Sequence, residues 1–381
     1  MLYDIIIIGA GASGLMCAAH LHPKQKVLLI DANDKIARKI KISGGGKCNI
    51  TNKYVSTKNY VGDSDFVKRT LDRFSNEDLL AFLKRNGVDP VLRKGEFYFC
   101  KRSSDEIIEL FRKLTKKRDF LLGAKVTSVQ KEGELFSVET TKGKRQAVKV
   151  IVASGGESYK SIGASDVALQ IAESFGIEYT PFRPALVGMT LQKEQFWMKE
   201  LSGIAVDVAM MIDAKRIEGS LLFAHRGISG PAVLNASLYW KKGAISIDFL
   251  PKEDLKKRID IGGKKFISSV VPLPKRFIKA FLAHLDIQDK ECDRLTRDER
   301  KMLTAIHRYS FAPAGNFGFS KAEVSLGGVH TDELCESFEA KKVKHLYFIG
   351  ESVDITGELG GYNFQWAFAS GKACADFLIK M

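Results

Sequence analysis

No uninterrupted apolar run in the 381-residue chain approaches the roughly 18 residues that suggest a membrane span. The most apolar N-terminal stretch, Ile5 to Leu21, follows Asp4 and is broken by Gly9, Gly11 and Gly14. It lacks the basic leader and cleavage site of a signal peptide, so it reads as core structure. The six cysteines, Cys17, Cys48, Cys100, Cys292, Cys335 and Cys374, are scattered and form no Cys-x-x-Cys pair. Structural disulfides and a zinc site are therefore not expected, no metal is called for, and a cytoplasmic location fits. There is no internal repeat and no long low-complexity tail. A Walker A loop is also lacking. The segment "KISGGGKCN" (41–49) has Lys41 where that motif needs its first glycine and Cys48 where it needs Ser or Thr.

Acidic charge is in deficit. Against 59 Lys+Arg stand 45 Asp+Glu, for a net charge of +14. Such an excess serves solubility, or it attracts a polyanion such as nucleic acid through counterion release. The basic residues gather as Lys116-Lys117-Arg118, Lys256-Lys257-Arg258, Lys264-Lys265, Lys275-Arg276 and Lys341-Lys342-Lys344. Any nucleic-acid surface would thus be built on folded structure.

What is present is an α/β pattern. A buried-strand run, Tyr3 to Ile8, meets a turn containing Gly9, Gly11 and Gly14, then a helical stretch from Leu15 to Leu21. A second strand, Lys26 to Ile30, ends at Asp31. The glycines permit a tight turn and close approach of a pyrophosphate, and the helix N-terminus favours the anion. Asp31 is placed to accept hydrogen bonds from a ribose diol. Helices are expected over 64–74, 76–86 and 103–117, a hairpin over 124–141, and a strand from Val148 to Ala153 running into Ser154, Gly155 and Gly156. Residues 186–250 read as short strands with turns. Residues 252–308 read as charged amphipathic helices, including 275–284 and 297–307. From Val343 a strand-then-glycine pattern returns, ahead of a final helix over 363–379.

The chain thus divides into a split nucleotide-binding domain (1–184 and 322–381), a β-rich, barrel-like substrate domain (185–251 and 309–321) and a small helical insert (252–308). The expected fold is a three-layer Rossmann-type domain carrying those two insertions. Near the C-terminus, Gly350-Glu351-Ser352-Val353-Asp354 follows a strand, and Gly357, Gly360 and Gly361 lead into the last helix. A late acidic residue suits the ribityl hydroxyls of FAD. A helix N-terminus behind it suits the flavin edge that becomes negative on reduction.

Several blocks, in order, resemble the HI0933-like (BaiN-like) family of bacterial FAD-dependent oxidoreductases. They are "IIIIGAGASGL" (5–15), "ARKIKISGGGKCNITN" (37–52), "VIVASGGESY" (150–159), "RPALVGM" (183–189), "LLFAHRGISGPAVLNAS" (221–237), "VSLGGV" (324–329) and "YFIGESVDITGELGGYNFQWAFASG" (347–371). The resemblance implies FAD contacts from Gly9, Gly11, Ala12, Ser13 and Gly14, with Asp31, Ala32 and Lys39 beyond them. It implies further contacts from Ser43, Gly44, Gly45, Lys47, Cys48 and Asn49, from Val126, and from Ser154, Gly155 and Gly156. The last set is Gly350, Glu351, Asp354, Gly360, Gly361, Tyr362 and Asn363. The chain departs from the family at Lys47, where arginine is usual, at Gly95-Glu96-Phe97-Tyr98-Phe99, and at Ala164-Ser165-Asp166.

The family implies hydride chemistry on a C=C bond conjugated to a carbonyl, in a steroid-like enone or a uridine of ribosomal RNA. An amine-oxidising activity is also attached to the family name. No second GxGxxG domain is visible, so NADH or NADPH would bind transiently beside the flavin. Reducing uracil needs hydride at C6 and a proton at C5, hence a general acid. Cys48 beside Lys47 is the first candidate and Tyr362 the second, with packing as the alternative role for each. His225 and Arg226 would bind substrate, or Arg226 would satisfy a loop carbonyl. The basic charge favours RNA uridine. A small-molecule enone reductase or amine oxidase, and a flavin-containing RNA-binding factor without turnover, are the other readings.

Overall fold

β1 (Leu2–Ile8) is sealed from solvent over Ile5–Ile8, as a strand covered on both faces must be. It leads through a glycine turn into α1 (Ala12–His20) and then β2 (Val27–Asp31), which pairs parallel to β1 with Ile5 opposite Val27 and Ile8 opposite Ile30. The computed structural model describes residues 2–380, and the chain separates into two compact units, Met1–Pro184 with Glu323–Met381, and Ala185–Ala322.

In the first unit the strand Asp119–Leu122 flanks β2, and Arg145–Val152 runs parallel to β1 on the other side. The outer edge of Arg145–Val152 is divided. Its first half pairs antiparallel with Leu135–Thr140, and its last three residues pair parallel with Leu346–Phe348 from the far end of the chain. The final helix (Tyr362–Lys380) packs on α1 so closely that a Cβ on Gly371 would lie 2.4 Å from the Ser13 carbonyl oxygen. Trp366, Tyr347, Phe111, Phe136, Phe338 and Phe368 fill the core around these elements.

In the second unit seven strands form one antiparallel sheet, in the order Tyr309–Phe311, Ile245–Asp248, Ala205–Ile212, Lys215–Ala224, Gly227–Ser229, Met189–Thr190, Gly315–Asn316. The helices of the 252–308 stretch share its core. Phe249 from the sheet side lies with its ring centroid 4.9 Å from that of Phe277, and Phe277 stacks on Phe281 at 5.9 Å.

Local boundaries differ from the pattern. The helix expected over 103–117 occupies Asp105–Leu114, and that over 297–307 is α-helical only to Leu303 before tightening into a 3₁₀ turn, Thr304–His307. Pro231–Tyr239, read as part of a strand region, is a helix. Gly230 turns the chain at φ 90, Pro231 starts the helix, and apolar residues around its circumference conceal the helical period.

Candidate cofactor site

The turn after β1 is built by crowding. Gly9 adopts φ 112, and a Cβ there would lie 2.3 Å from the Ala153 carbonyl oxygen. A Cβ on Gly14 would lie 2.1 Å from the Gly9 oxygen. Gly11 is different: a Cβ there would meet nothing within 4 Å. Its neighbourhood is open on the side where α1 begins. The first intrahelical bond runs from Leu15 N–H to the Gly11 carbonyl, so the N–H groups before it form the positive end of the helix. Asp31 braces this loop, accepting from Ala10 N–H at 2.7 Å through Oδ2 and from the Asn33 N–H and side-chain amide through Oδ1.

The next segment folds into α2 (Arg38–Gly46), interrupted where Ser43 is extended and Gly44 and Gly45 turn left-handed at φ 56 and 64. Gly45 and Gly46 face nothing within 4 Å, whereas Gly44 abuts Asn49 N–H and Phe99. Ser43 Oγ donates to the Ile40 carbonyl, and Lys47 is exposed. Cys48, at φ 44, opens β3 (Asn49–Asn52) and is fully buried. Its thiol hydrogen bonds with that of Cys100, and this bond, with burial, pushes the Cys100 thiol far up. Cys48 therefore packs into the core and presents no open face.

Residues 154–156 and 350–363 close the site. Lys39 Nζ pairs with Glu351 Oε2 at 2.7 Å, while Glu351 Oε1 accepts from Ser325 N–H at 2.7 Å. The pair adjoins Gly155 and Gly156, whose added Cβ atoms would lie 3.7 and 3.1 Å from the Glu351 carboxylate. Gly350, at φ 68, sits against Ser13 Oγ. Gly361, at φ 95, passes Thr51 and Asn49 too closely for a side chain. Asn363 holds the turn before the last helix, accepting from Gly357 N–H and donating to the Gly357 carbonyl. Tyr362 OH donates to the Tyr54 carbonyl at 3.2 Å, and burial pushes its phenol up to about 12. Burial also raises the Asp354 carboxyl, against the opposing pull of Thr180, His330 and Arg183.

The structure thus brings together the glycine turn, Ala12, Ser13, Lys39, 154–156, Gly350 and Glu351 through direct contacts. Ala32 follows Asp31 on the half-buried edge of the same turn, and Val126 enters through Ala124, whose N–H bonds to the Asp31 carbonyl. His225 and Arg226 lie in the second unit. They sit exposed at a hairpin turn of the second unit, where Arg226 lies over Phe317 at 5.4 Å. Sequence reasoning missed Ser325, which accepts from Glu157 and Ser158 N–H and ties 154–158 to Glu351. Its place inside "VSLGGV" was the available signal.

Two observations test whether these groups fit a dinucleotide. Ser154 Oγ is buried without a hydrogen-bond partner among the described residues, beside Gly155 at φ 76. Gly11, Gly45 and Gly46 leave open the volumes that side chains would fill. An unused hydroxyl, a helix N-terminus and an acid closing β2 are the kind of donor and acceptor set that an FAD requires. The residues fit.

A parallel sheet with this turn, an acid closing β2 and a second helix N-terminus returning from the far end defines a dinucleotide-binding flavoprotein. The family model described as HI0933-like protein Rossmann domain matches residues 3–377, and the chain belongs to that family of FAD-dependent oxidoreductases. It is 38% identical to the ribosomal RNA dihydrouridine synthase of Escherichia coli over 99% of this chain and 98% of the relative. Its identity to the Haemophilus influenzae protein of the same name is 37%, over 97% of each. It is 27% identical to a 3-dehydro-bile acid delta(4,6)-reductase of Clostridium scindens, over 96% of each. Among solved structures, the 3-ketosteroid delta1-dehydrogenase of Sterolibacterium denitrificans shares the fold, with a TM-score of 0.53 at 12% identity, over 100% of this chain and 99% of that one.

Proposed function

We propose that the chain reduces uridine to dihydrouridine in ribosomal RNA, with NADH or NADPH as electron source. The observation that carries this reading is its 37–38% identity, at nearly full length, to two ribosomal RNA dihydrouridine synthases, against 27% to the bile-acid reductase. The net charge of +14 supports a polyanionic substrate.

Bound FAD would supply the hydride that C6 of uracil accepts. The chain's own residues would hold the cofactor: the α1 N-terminus and Ser154 its phosphates, Asp31 a ribose, and the N-terminus of the last helix the flavin. A proton must reach C5 in the same turnover. With Cys48 fully buried against Cys100, we assign the proton to Tyr362, at the start of the last helix. Position then matters more than acidity, because the phenol stays protonated throughout the neutral range.

The test is deletion of the gene in a strain whose ribosomal RNA carries dihydrouridine, followed by mapping of the base. Loss at one or more positions supports the proposal, and an unchanged map overturns it. A purified protein that reduces a steroid enone but leaves RNA unchanged would favour a small-molecule reductase.

A further inference from the structure

Resting on the RNA reading above, we propose that residues 256–266 of the second unit form an RNA-docking surface, with lysines for the phosphates and Phe266 as a stacking platform. Four of the chain's basic clusters have one residue engaged: Arg118 with backbone carbonyls of residues 18–25, Arg276 with the Glu200 carbonyl, Lys342 with Glu333, and Arg258 with Glu253. What sets 256–266 apart is the exposed apolar side chains beside its lysines. Lys256, Lys257, Lys264 and Lys265 are all exposed and form no ion pair among the described residues. The nearby acids are occupied elsewhere. Glu253 pairs with Arg258, Asp260 with Arg300, and Asp254 accepts from the N–H groups of Lys256 and Lys257.

Exposed apolar side chains interrupt these lysines. Ile261 is 84% exposed, the highest value among the large hydrophobic residues, and Phe266 is 50% exposed. Single exposed apolar residues are ordinary on a soluble surface, so it is their place beside unpaired lysines that points to a partner. The helix Leu255–Gly262 already turns its apolar side inward, burying Leu255, Ile259 and Gly262. It has no second apolar face with which to lie on a membrane. Lysines followed by one exposed aromatic ring instead match single-stranded nucleic acid, where phosphates track basic groups and bases stack on aromatics.

The segment is held in shape. Lys265 N–H bonds to the Gly262 carbonyl, Asp293 N–H to Gly263, Cys292 N–H to Lys265, and Ile267 N–H to Lys290. A Cβ on Gly262 would lie 2.6 Å from Cys292 Sγ, so the turn is also locked by packing. Lys264, Lys265 and Phe266 therefore project from a fixed turn, and binding need not order a loop.

The test uses the full-length FAD-loaded protein and protein-free ribosomal RNA from the deletion strain. Binding is measured over a salt series, and dihydrouridine formation is measured in parallel. The quadruple variant Lys256→Gln, Lys257→Gln, Lys264→Gln, Lys265→Gln should weaken binding at least about tenfold. It should also make the log–log salt slope shallower by about 3, near 0.7 for each phosphate no longer neutralised. Phe266→Leu should weaken binding about fivefold or more with the slope unchanged, and Phe266→Tyr should restore it. A quadruple variant with unchanged affinity and slope overturns the proposal even if the wild type makes dihydrouridine. A wild type that binds RNA through these lysines but forms no dihydrouridine overturns the enzymatic reading and supports the surface. Loss of binding to anionic lipid vesicles with RNA binding intact overturns the surface in favour of a membrane.

Discussion

Lys39 Nζ and Glu351 Oε2 lie 2.7 Å apart although 312 positions separate them in the chain. This contact joins α2 to the returning C-terminal segment, and Glu351 passes the connection on to Ser325 N–H. The side chains are 34% and 20% exposed, so water weakens the pair without removing it. In a cycle of Lys39→Met and Glu351→Gln, denaturant melts should give a coupling of about 1 kcal/mol. Strict additivity would mean that the two segments are held by other contacts.

Gly11 and Gly14 should separate cofactor binding from stability. Gly14→Ala forces a Cβ to 2.1 Å from the Gly9 oxygen, so the apoprotein should lose about 2–4 kcal/mol. Gly11→Ala meets no protein atom, so the apoprotein should melt within about 0.5 kcal/mol of the wild type. Its flavin content after purification should nevertheless fall if the pyrophosphate takes up that open volume, as the proposed binding mode requires. Full flavin occupancy in Gly11→Ala would move the binding site elsewhere.

Arg118 should be worth more than its place in a basic cluster implies. Its guanidinium donates to the carbonyls of Ala18, Leu21, His22 and Gln25, at the C-terminal end of α1. A cation there also complements the helix dipole. Arg118→Ala should lower stability by about 2–4 kcal/mol, and Arg118→Lys should recover only part of it, since an ammonium cannot span the same fork. Calorimetry of both variants checks this; equal melting of Ala and Lys variants would contradict it.

Tyr362 carries a pH signature. In the folded chain its phenol is pushed up to about 12 from an ordinary value of 10.0. Below about pH 10 it is neutral in both states, so the shift leaves stability unaffected there. Between about 10 and 12 the unfolded phenol loses its proton while the folded one keeps it, and stability falls as pH rises. Tyr60 and Tyr347, also raised by burial, share this loss. Tyr362→Phe should therefore make the alkaline decline shallower without abolishing it. In turnover at saturating RNA the same variant should lower kcat about 10²–10⁴-fold, whereas Cys48→Ala should stay within tenfold. The reverse ranking would return the proton to the thiol.

The glycine turn and Asp31 were legible in the sequence because spacing within one βαβ unit is local and its chemistry is set by three small residues and an acid. The return of the chain at 350–363 was legible for the same reason. The partners of these segments were not. Lys39 with Glu351, Ser325 with 156–158, and Cys48 with Cys100 arise from long-range pairing that leaves no periodic trace. Cys48 shows the consequence: beside Lys47 in sequence it reads as an activated thiol, but the strand Phe97–Phe99 lying against β3 brings Cys100 to it and seals it. Pro231–Tyr239 escaped notice because its apolar residues spread around the helix without a single face. The kink at Ser43–Gly45 escaped because glycine permits left-handed backbone without prescribing it.

The divided edge of the strand Arg145–Val152 has a bearing on biosynthesis. Half of that edge waits for Leu346–Phe348, and α1 waits for the helix that follows. While a ribosome is still translating residues 185–322, the N-terminal segment has its glycine turn but an incomplete sheet and an uncovered helix. The second unit has all its strands before the first can close. Closure of the split sheet is thus confined to the last moments of translation or afterwards, and a chain that stalls near residue 340 would emerge with an apolar seam exposed, as a substrate for chaperones.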